Sequence, residues 1–208
     1  MKDIIIVGAG AFGREVLYLI ESINNVSKKW NIKGFIDDDC NALQKANCDY
    51  KIIGTIKDWI PSENEIFALG ISTPKTKEAV VKLLKSKGAH FATLISPNTE
   101  ILSNTEIGEG SVVTLGWIGD NVKIEKFTHI AGSMIGQDSV IGEFSTITGF
   151  ANVVSAHIGK RVFMGSHSVI LNGRKIGDDV FVCAGSIVFN HVKPNTKVFG
   201  NPAKKIDL

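Results

Sequence analysis

Cysteine is scarce in this chain. Cys40, Cys48 and Cys183 make an odd number and form no CxxC spacing. That argues against a disulfide framework and a cysteine-built zinc site, and it suits a reduced, cytoplasmic protein. An excess of one charge is missing as well: 23 Lys and Arg face 21 Asp and Glu, for a net charge of +2. The basic residues are scattered, so neither a nucleic-acid footprint nor a membrane-surface patch is expected. Long hydrophobic runs are absent too. The opening "MKDIIIVGAGAFG" has a short apolar run and then glycines, unlike a signal peptide, and no stretch reaches the length of a membrane span.

What the sequence does contain falls into two rhythms. Up to about residue 97, strand-like and helix-like segments alternate: "DIIIVG" (3–8), "FGREVLYLIESI" (12–23), "NIKGFID" (31–37), "YKIIGTI" (50–56), "EIFALGI" (65–71), "PKTKEAVVKLLKSKG" (74–88) and "FATLIS" (91–96). This alternation predicts parallel strands joined by crossovers, a small Rossmann-like α/β domain over 1–97.

From 98 to 208 the rhythm is different. Aliphatic residues recur at Ile107, Val113, Ile118, Ile124, Ile130, Ile135, Ile141, Ile147, Val153, Ile158, Met164, Ile170, Ile176, Val182 and Val188. Most gaps are six; those at 113–118, 130–135 and 153–158 are five. Heptads would need seven and a simple strand two, so the period marks a hexapeptide-repeat parallel β-helix. Three hexads make a triangular coil, and coils stack at ~4.8 Å. The five-residue gaps are expected to be tight corners. Apolar and small residues on the outer faces favour an oligomer.

Gly8, Gly10 and Gly13 fall in GxGxxG spacing directly after a strand and at the opening of a helix. Glycines there let a backbone approach closely, and a helix N-terminus offers free N–H groups to an anion. Asp37 and Asp38 end the second strand, where an acid can meet a ribose hydroxyl. A nucleotide site is the functional reading, and close strand–helix packing is the plain structural one. A nicotinamide dinucleotide is disfavoured, because no second α/β half follows to hold it.

The combination of "VGAGAFGREV", "GFIDDD", "LISPNTEI", the hexads and the closing "VFGNPAKKI" resembles the bacterial nucleotide-sugar acetyltransferases. These act on UDP-, GDP- or dTDP-linked 4-amino-sugars, or on sialic acid, in building cell-surface polysaccharides. The resemblance implies a left-handed β-helix, a homotrimer, acetyl-CoA as co-substrate, no metal, and direct attack of an amine on the thioester. It carries the nucleotide-sugar contacts onto Gly8, Gly10, Gly13, Asp37 and Asp38. Cofactor contacts go to Thr146, to Gly165 and Ser166 in "GSHSV", to Ala184 and Gly185 in "CAGSI", and to Lys204 and Lys205 beside the CoA phosphates.

The family's general base is a histidine before Val-Ile-Gly, and here that stretch reads "GQDSVIG". Gln137 stands in the histidine's place with Asp138 beside it. Glutamine can orient a group but cannot take a proton. A second family histidine corresponds to Thr146. Hexad counting stacks His129 on Thr146 one coil away, so His129 is a candidate displaced base, with Asp138 as orienter or as base itself. The alternative for His129 is an ordinary corner residue. His157 is a weaker candidate, and His167 is expected at a cofactor channel or subunit contact. His90 and His191 suggest no role, and Trp30 and Trp117 read as packing. Because an amine attacks more readily than an alcohol without a base, N-acetylation leads. O-acetylation and a non-catalytic trimer that binds acetyl-CoA or a nucleotide-sugar stay open.

Overall fold

A computed structural model describes residues 1–207. The N-terminal sheet consists of β1 (Lys2–Val7), β2 (Trp30–Ile36), β3 (Ile52–Gly54) and β4 (Glu65–Leu69), all parallel in the order β3-β2-β1-β4. Both faces of β1 are covered, and Ile4, Ile5, Ile6 and Val7 are fully buried. This explains why the segment reads as an unbroken apolar run rather than an alternating one. Helix α1 (Ala11–Val26) buries the stripe Val16, Leu17, Leu19, Ile20 and Ile23. Helix α2 (Pro74–Ser86) begins with Pro74, whose fixed φ suits a first turn.

The remainder is a parallel β-solenoid of three faces. Its first strand, Leu94–Ile95, lies just before the boundary expected at residue 97. Ile95, Val113, Ile130, Ile147, Met164, Val182 and Val198 stack in register on the first face. Ile101, Ile118, Ile135, Val153, Ile170 and Val188 stack on the second. The third holds Ile107, Ile124, Ile141, Ile158 and Ile176. Every position of the sequence period points inward, and from Val113 to Val188 all belong to one continuous buried core.

Two of the three short gaps form no sharp corner. Val112–Ile118 and His129–Ile135 are single seven-residue strands that run from the first face onto the second. Gly116 (φ 148°) and Gly132 (φ 57°) absorb the change of direction. The third gap does turn tightly, at Ser155 with φ 43°.

The α/β domain docks on the first face. Outward-pointing side chains there should meet water, yet Leu94, Val112, His129 and Thr146 are all buried. Leu94 and Val112 join the apolar cluster beneath α1. Phe127 and Phe144, stacked with centroids 5.2 Å apart, join the cluster on the α2 side.

Candidate functional site

Because β2 and β4 flank β1, the carboxyl ends of β1 and β4 form the topological switch point of the sheet, where open α/β sheets hold their ligands. The glycine-rich turn leaves β1 there. Gly8 has φ 95°, and a Cβ on Gly13 would lie 2.0 Å from the Gly8 carbonyl oxygen. These two glycines are therefore required for packing. Gly10 differs: it is exposed, and a Cβ on it would meet nothing within 4 Å. It opens α1 without any side-chain cap, which leaves the first amides of the helix without a side-chain acceptor from the cap position.

Asp37 reaches into this turn from the end of β2. One carboxylate oxygen accepts the Ala9 N–H at 2.7 Å and the other accepts the Asp39 N–H at 2.9 Å. The side chain thus braces the turn at the mouth of the crevice. Asp38 lies exposed at the rim and accepts the Lys57 N–H at 3.1 Å.

The loop between β4 and α2 forms the opposite wall, and a cavity of about 540 Å³ opens below it against the solenoid. Ser72, Thr73 and Lys75 line its roof, with Phe163, Phe181 and Arg161 on the solenoid side. Phe163 and Phe181 stack at 4.9 Å, and Lys197 Nζ lies 4.8 Å from the Phe181 ring centroid. Arg161 grips Asp179 through two hydrogen bonds of 2.9 and 2.7 Å. That pairing holds the Asp179 carboxyl below its usual range. The volume suits a nucleotide- or pantetheine-sized ligand. No motif in the sequence pointed to these residues.

The solenoid residues expected in the site separate into three places. Gln137 and Asp138 are exposed at the corner after the second face, away from their own α/β domain. Asp138 holds φ 58° and accepts a hydrogen bond from Asn121 Nδ2 at 2.6 Å. Gly165, Ser166, Ala184 and Gly185 stack at the corner after the first face, where the Gly185 N–H donates to the Ser166 carbonyl at 2.9 Å. His167 lies exposed there against Phe150, with ring centroids 5.1 Å apart. Lys204 and Lys205 are exposed on the strand Ala203–Lys205, which pairs back onto Lys197–Gly200. His157 is exposed on the third face, and the His191 ring accepts the Lys175 N–H.

His129 and Thr146 are register partners, as hexad counting predicted. Their surroundings, however, correct the roles expected of them. His129 is fully buried with its ring stacked on Phe12 at 4.6 Å, and among the described residues neither ring nitrogen has a hydrogen-bond partner. It also points from a different face than Gln137. A base must reach the attacking group, and the full burial of His129 in this structure does not support it as a displaced base. Thr146 is also buried: its hydroxyl donates to the Ser72 carbonyl at 2.6 Å and accepts from Lys77 Nζ at 2.9 Å. That hydroxyl is engaged within the chain, which does not support the cofactor contact expected of it.

Lys77 was missed by the sequence reading. It is fully buried, its ammonium group reaches the Ser145 carbonyl at 3.0 Å, and it forms no ion pair among the described residues. Burial pushes its pKa well down. Burial, with the charge of Lys77 second, pushes His129 well down too. A signal was present: Lys77, Val81 and Leu84 fall at i, i+4 and i+7, on the buried stripe of α2.

Residues 3–84 match the PglD N-terminal domain, and residues 116–149 match the bacterial transferase hexapeptide repeat. The acetyltransferase domain of PglB from Neisseria gonorrhoeae, solved with acetyl coenzyme A, superposes with a TM-score of 0.89 at 20% identity, covering 99% of each chain. WeeI from Acinetobacter baumannii gives 0.85 at 29% identity, covering 99% of this chain and all of its own. PerB from Caulobacter crescentus, in complex with CoA and GDP-perosamine, gives 0.66 at 20%, over 100% and 98%. Bifunctional GlmU of Rhizobium rhizogenes is 28% identical over 120 residues, 57% of this chain; the chain spans about a quarter of the length of such curated relatives. With a PglD N-terminal domain followed by transferase hexapeptide repeats, the chain shares the domain composition and fold of the nucleotide-sugar acetyltransferase family that its sequence resembles.

Proposed function

We propose that this protein transfers an acetyl group from acetyl-CoA to the amine of a nucleotide-linked amino-sugar. One observation carries the reading: a glycine-rich turn and the β4–α2 loop sit side by side over a hexapeptide solenoid, with an aromatic-floored cavity between that loop and the solenoid. Fold neighbours solved with acetyl coenzyme A, or with CoA and GDP-perosamine, support it. The nucleotide diphosphate lies at the Gly10 end of α1, beside Asp37 and Asp38. The pantetheine arm follows Gly165, Ser166, Ala184 and Gly185, and its phosphates approach Lys204 and Lys205.

The amine attacks the thioester carbonyl, the carbon–sulfur bond breaks, and CoA leaves as thiolate. The amine's proton goes to water or to Asp138, and the thiolate is protonated from solvent. Gln137 orients the acceptor by hydrogen bonding. Proximity of the two bound substrates supplies most of the acceleration.

The site is completed by a second copy of the chain. Gln137 and Asp138 lie on a corner that the chain's own α/β domain does not reach, so a neighbouring subunit brings the two halves together. A homotrimer is the assembly proposed. Among the described residues no helix is long and apolar enough to cross a membrane.

Gln137 favours a second reading, a trimer that binds both ligands without turnover, and an alcohol acceptor is the third. Thiol release from acetyl-CoA, measured across UDP-, GDP- and dTDP-4-amino-sugars with product mass, decides between them. Turnover of one amino-sugar is expected. Bound acetyl-CoA with no release across the panel would favour the binding trimer or an alcohol acceptor.

A further inference from the structure

Two loops bound the proposed nucleotide crevice, and each makes a buried contact with the first face of the solenoid. The turn that opens α1 rests there through Phe12, two residues past Gly10, whose ring lies on His129. The turn that opens α2 rests through the Ser72 carbonyl, which takes the Thr146 hydroxyl. His129 and Thr146 occupy the same register position on adjacent coils, so the two contacts are about one strand spacing apart, ~4.8 Å. Lys77, one turn into α2, donates to Thr146 Oγ1 and to the Ser145 carbonyl, the same carbonyl that accepts the His129 backbone N–H.

Packing alone gives no reason for these residue types. The pocket around His129 is apolar on its Phe12 side, and an aromatic hydrocarbon would fill it without leaving two ring nitrogens that have no partner among the described residues. A methionine would fill the Lys77 position without burying an ammonium that lacks a carboxylate. Polar groups that a core does not need, gathered beneath both walls of one crevice, indicate a demand for geometry rather than for stability.

We infer that Lys77, His129 and Thr146 are positioning residues: a buried footing on the solenoid that fixes the separation of the two crevice loops. The inference rests on the proposed role of that crevice in holding a nucleotide-linked sugar. The groups themselves touch no substrate. They set the gap between the Gly8–Gly13 turn and the Ile71–Thr73 loop, and with it the fit of the diphosphate and the aim of the sugar toward the acetyl donor.

Thr146→Val removes the hydroxyl at nearly constant shape, Thr146→Ser retains it, and Lys77→Met removes the buried ammonium. Amide hydrogen exchange of the assembled protein reads the footing without any ligand. Exchange in both crevice loops is expected to quicken about tenfold in Thr146→Val and Lys77→Met, to stay near wild type in Thr146→Ser, and to be unchanged on the third solenoid face. In steady state the nucleotide-sugar KM is expected to rise about tenfold, as for one lost loop hydrogen bond. The acetyl-CoA KM stays constant and kcat stays within about twofold. Unchanged loop exchange in Thr146→Val overturns the footing, as does a Thr146→Ser variant no better than Thr146→Val. Faster exchange with an unaltered nucleotide-sugar KM overturns the positioning role. If the wild type turns over no nucleotide-sugar, the reading of the crevice fails while the exchange result still decides the footing.

Discussion

Gly13 packs so tightly against Gly8 that a methyl group on the first would sit 2.0 Å from the carbonyl oxygen of the second. Gly10, between them in the same motif, has open space around it. One GxGxxG signature therefore holds two kinds of glycine. Gly13→Ala is expected to destabilise the fold by about 2 kcal/mol or more, since the carbonyl belongs to the backbone and cannot step aside. Gly10→Ala is expected to change stability by less than about 0.5 kcal/mol and to raise the nucleotide-sugar KM severalfold. Denaturation midpoints and steady-state kinetics on the two variants check the split; equal loss of stability in both would remove Gly10 from the site.

Lys77 and His129 give stability a pH dependence of predictable sign. Both have folded-state pKa values pushed down, His129 from 6.5 and Lys77 from 10.5. The unfolded chain therefore binds more protons than the folded one below those values. Stability from His129 is present in full above pH 6.5 and is lost as pH falls toward its folded pKa. The Lys77 contribution is complete only above 10.5 and declines below it. Within either window each group changes stability by up to about 1.4 kcal/mol per pH unit. Thermal midpoints at fixed protein concentration should rise from pH 6 to 9 in the wild type and rise less in Lys77→Met. Parallel curves for the two proteins would show that Lys77 does not titrate out of step with the unfolded chain.

Much of this architecture is legible in the sequence because a solenoid must place an aliphatic residue inward on every face of every coil. That obligation writes a period, and each residue from Ile107 to Val188 that carried it points inward. The domain docking left no such trace. Leu94, Val112, His129 and Thr146 point outward like Trp117, Met134, Val169 and Ile187 on the next face, and only the tertiary arrangement covers the first row. Lys77 was hidden differently. It sits in a lysine-rich helix with Lys75, Lys82 and Lys85, and its place on the Val81–Leu84 stripe becomes evident only if a charged residue is allowed into a buried pattern.

The uncovered second face yields a prediction about assembly. Its outward row includes Trp117, Met134, Val169 and Ile187, with Leu115 and Phe150 at the adjoining corner; Met134 is 52% and Phe150 74% exposed. The third face instead presents Lys123, His157 and Lys175, all exposed. Glu100 and Asn152 share the second row, but its largely apolar character beside a charged one favours the second face as the contact of the proposed trimer. Met134→Glu places a carboxylate in every copy of that contact and is expected to convert the proposed trimer to monomer by light scattering, with the secondary structure retained by circular dichroism. An unchanged mass would place the contact elsewhere.

Gln137 gives the most direct test of the proposed chemistry. It is exposed at its corner, with the Asp138 carboxylate next to it and fixed by Asn121. An imidazole there can accept the amine's proton as the carbon–nitrogen bond forms, a contribution typically worth ~10²–10⁴-fold. If the wild type works with amine that is already unprotonated, its rate should climb with pH as more of the acceptor loses its proton. Gln137→His is then expected to raise kcat at pH 7 by about tenfold or more and to gain less at pH 9, where free amine is plentiful. A gain that is equal at both pH values would assign the imidazole an orienting role instead. No gain at either would mean that deprotonation does not limit turnover, and that Gln137 is sufficient for the reaction as it stands.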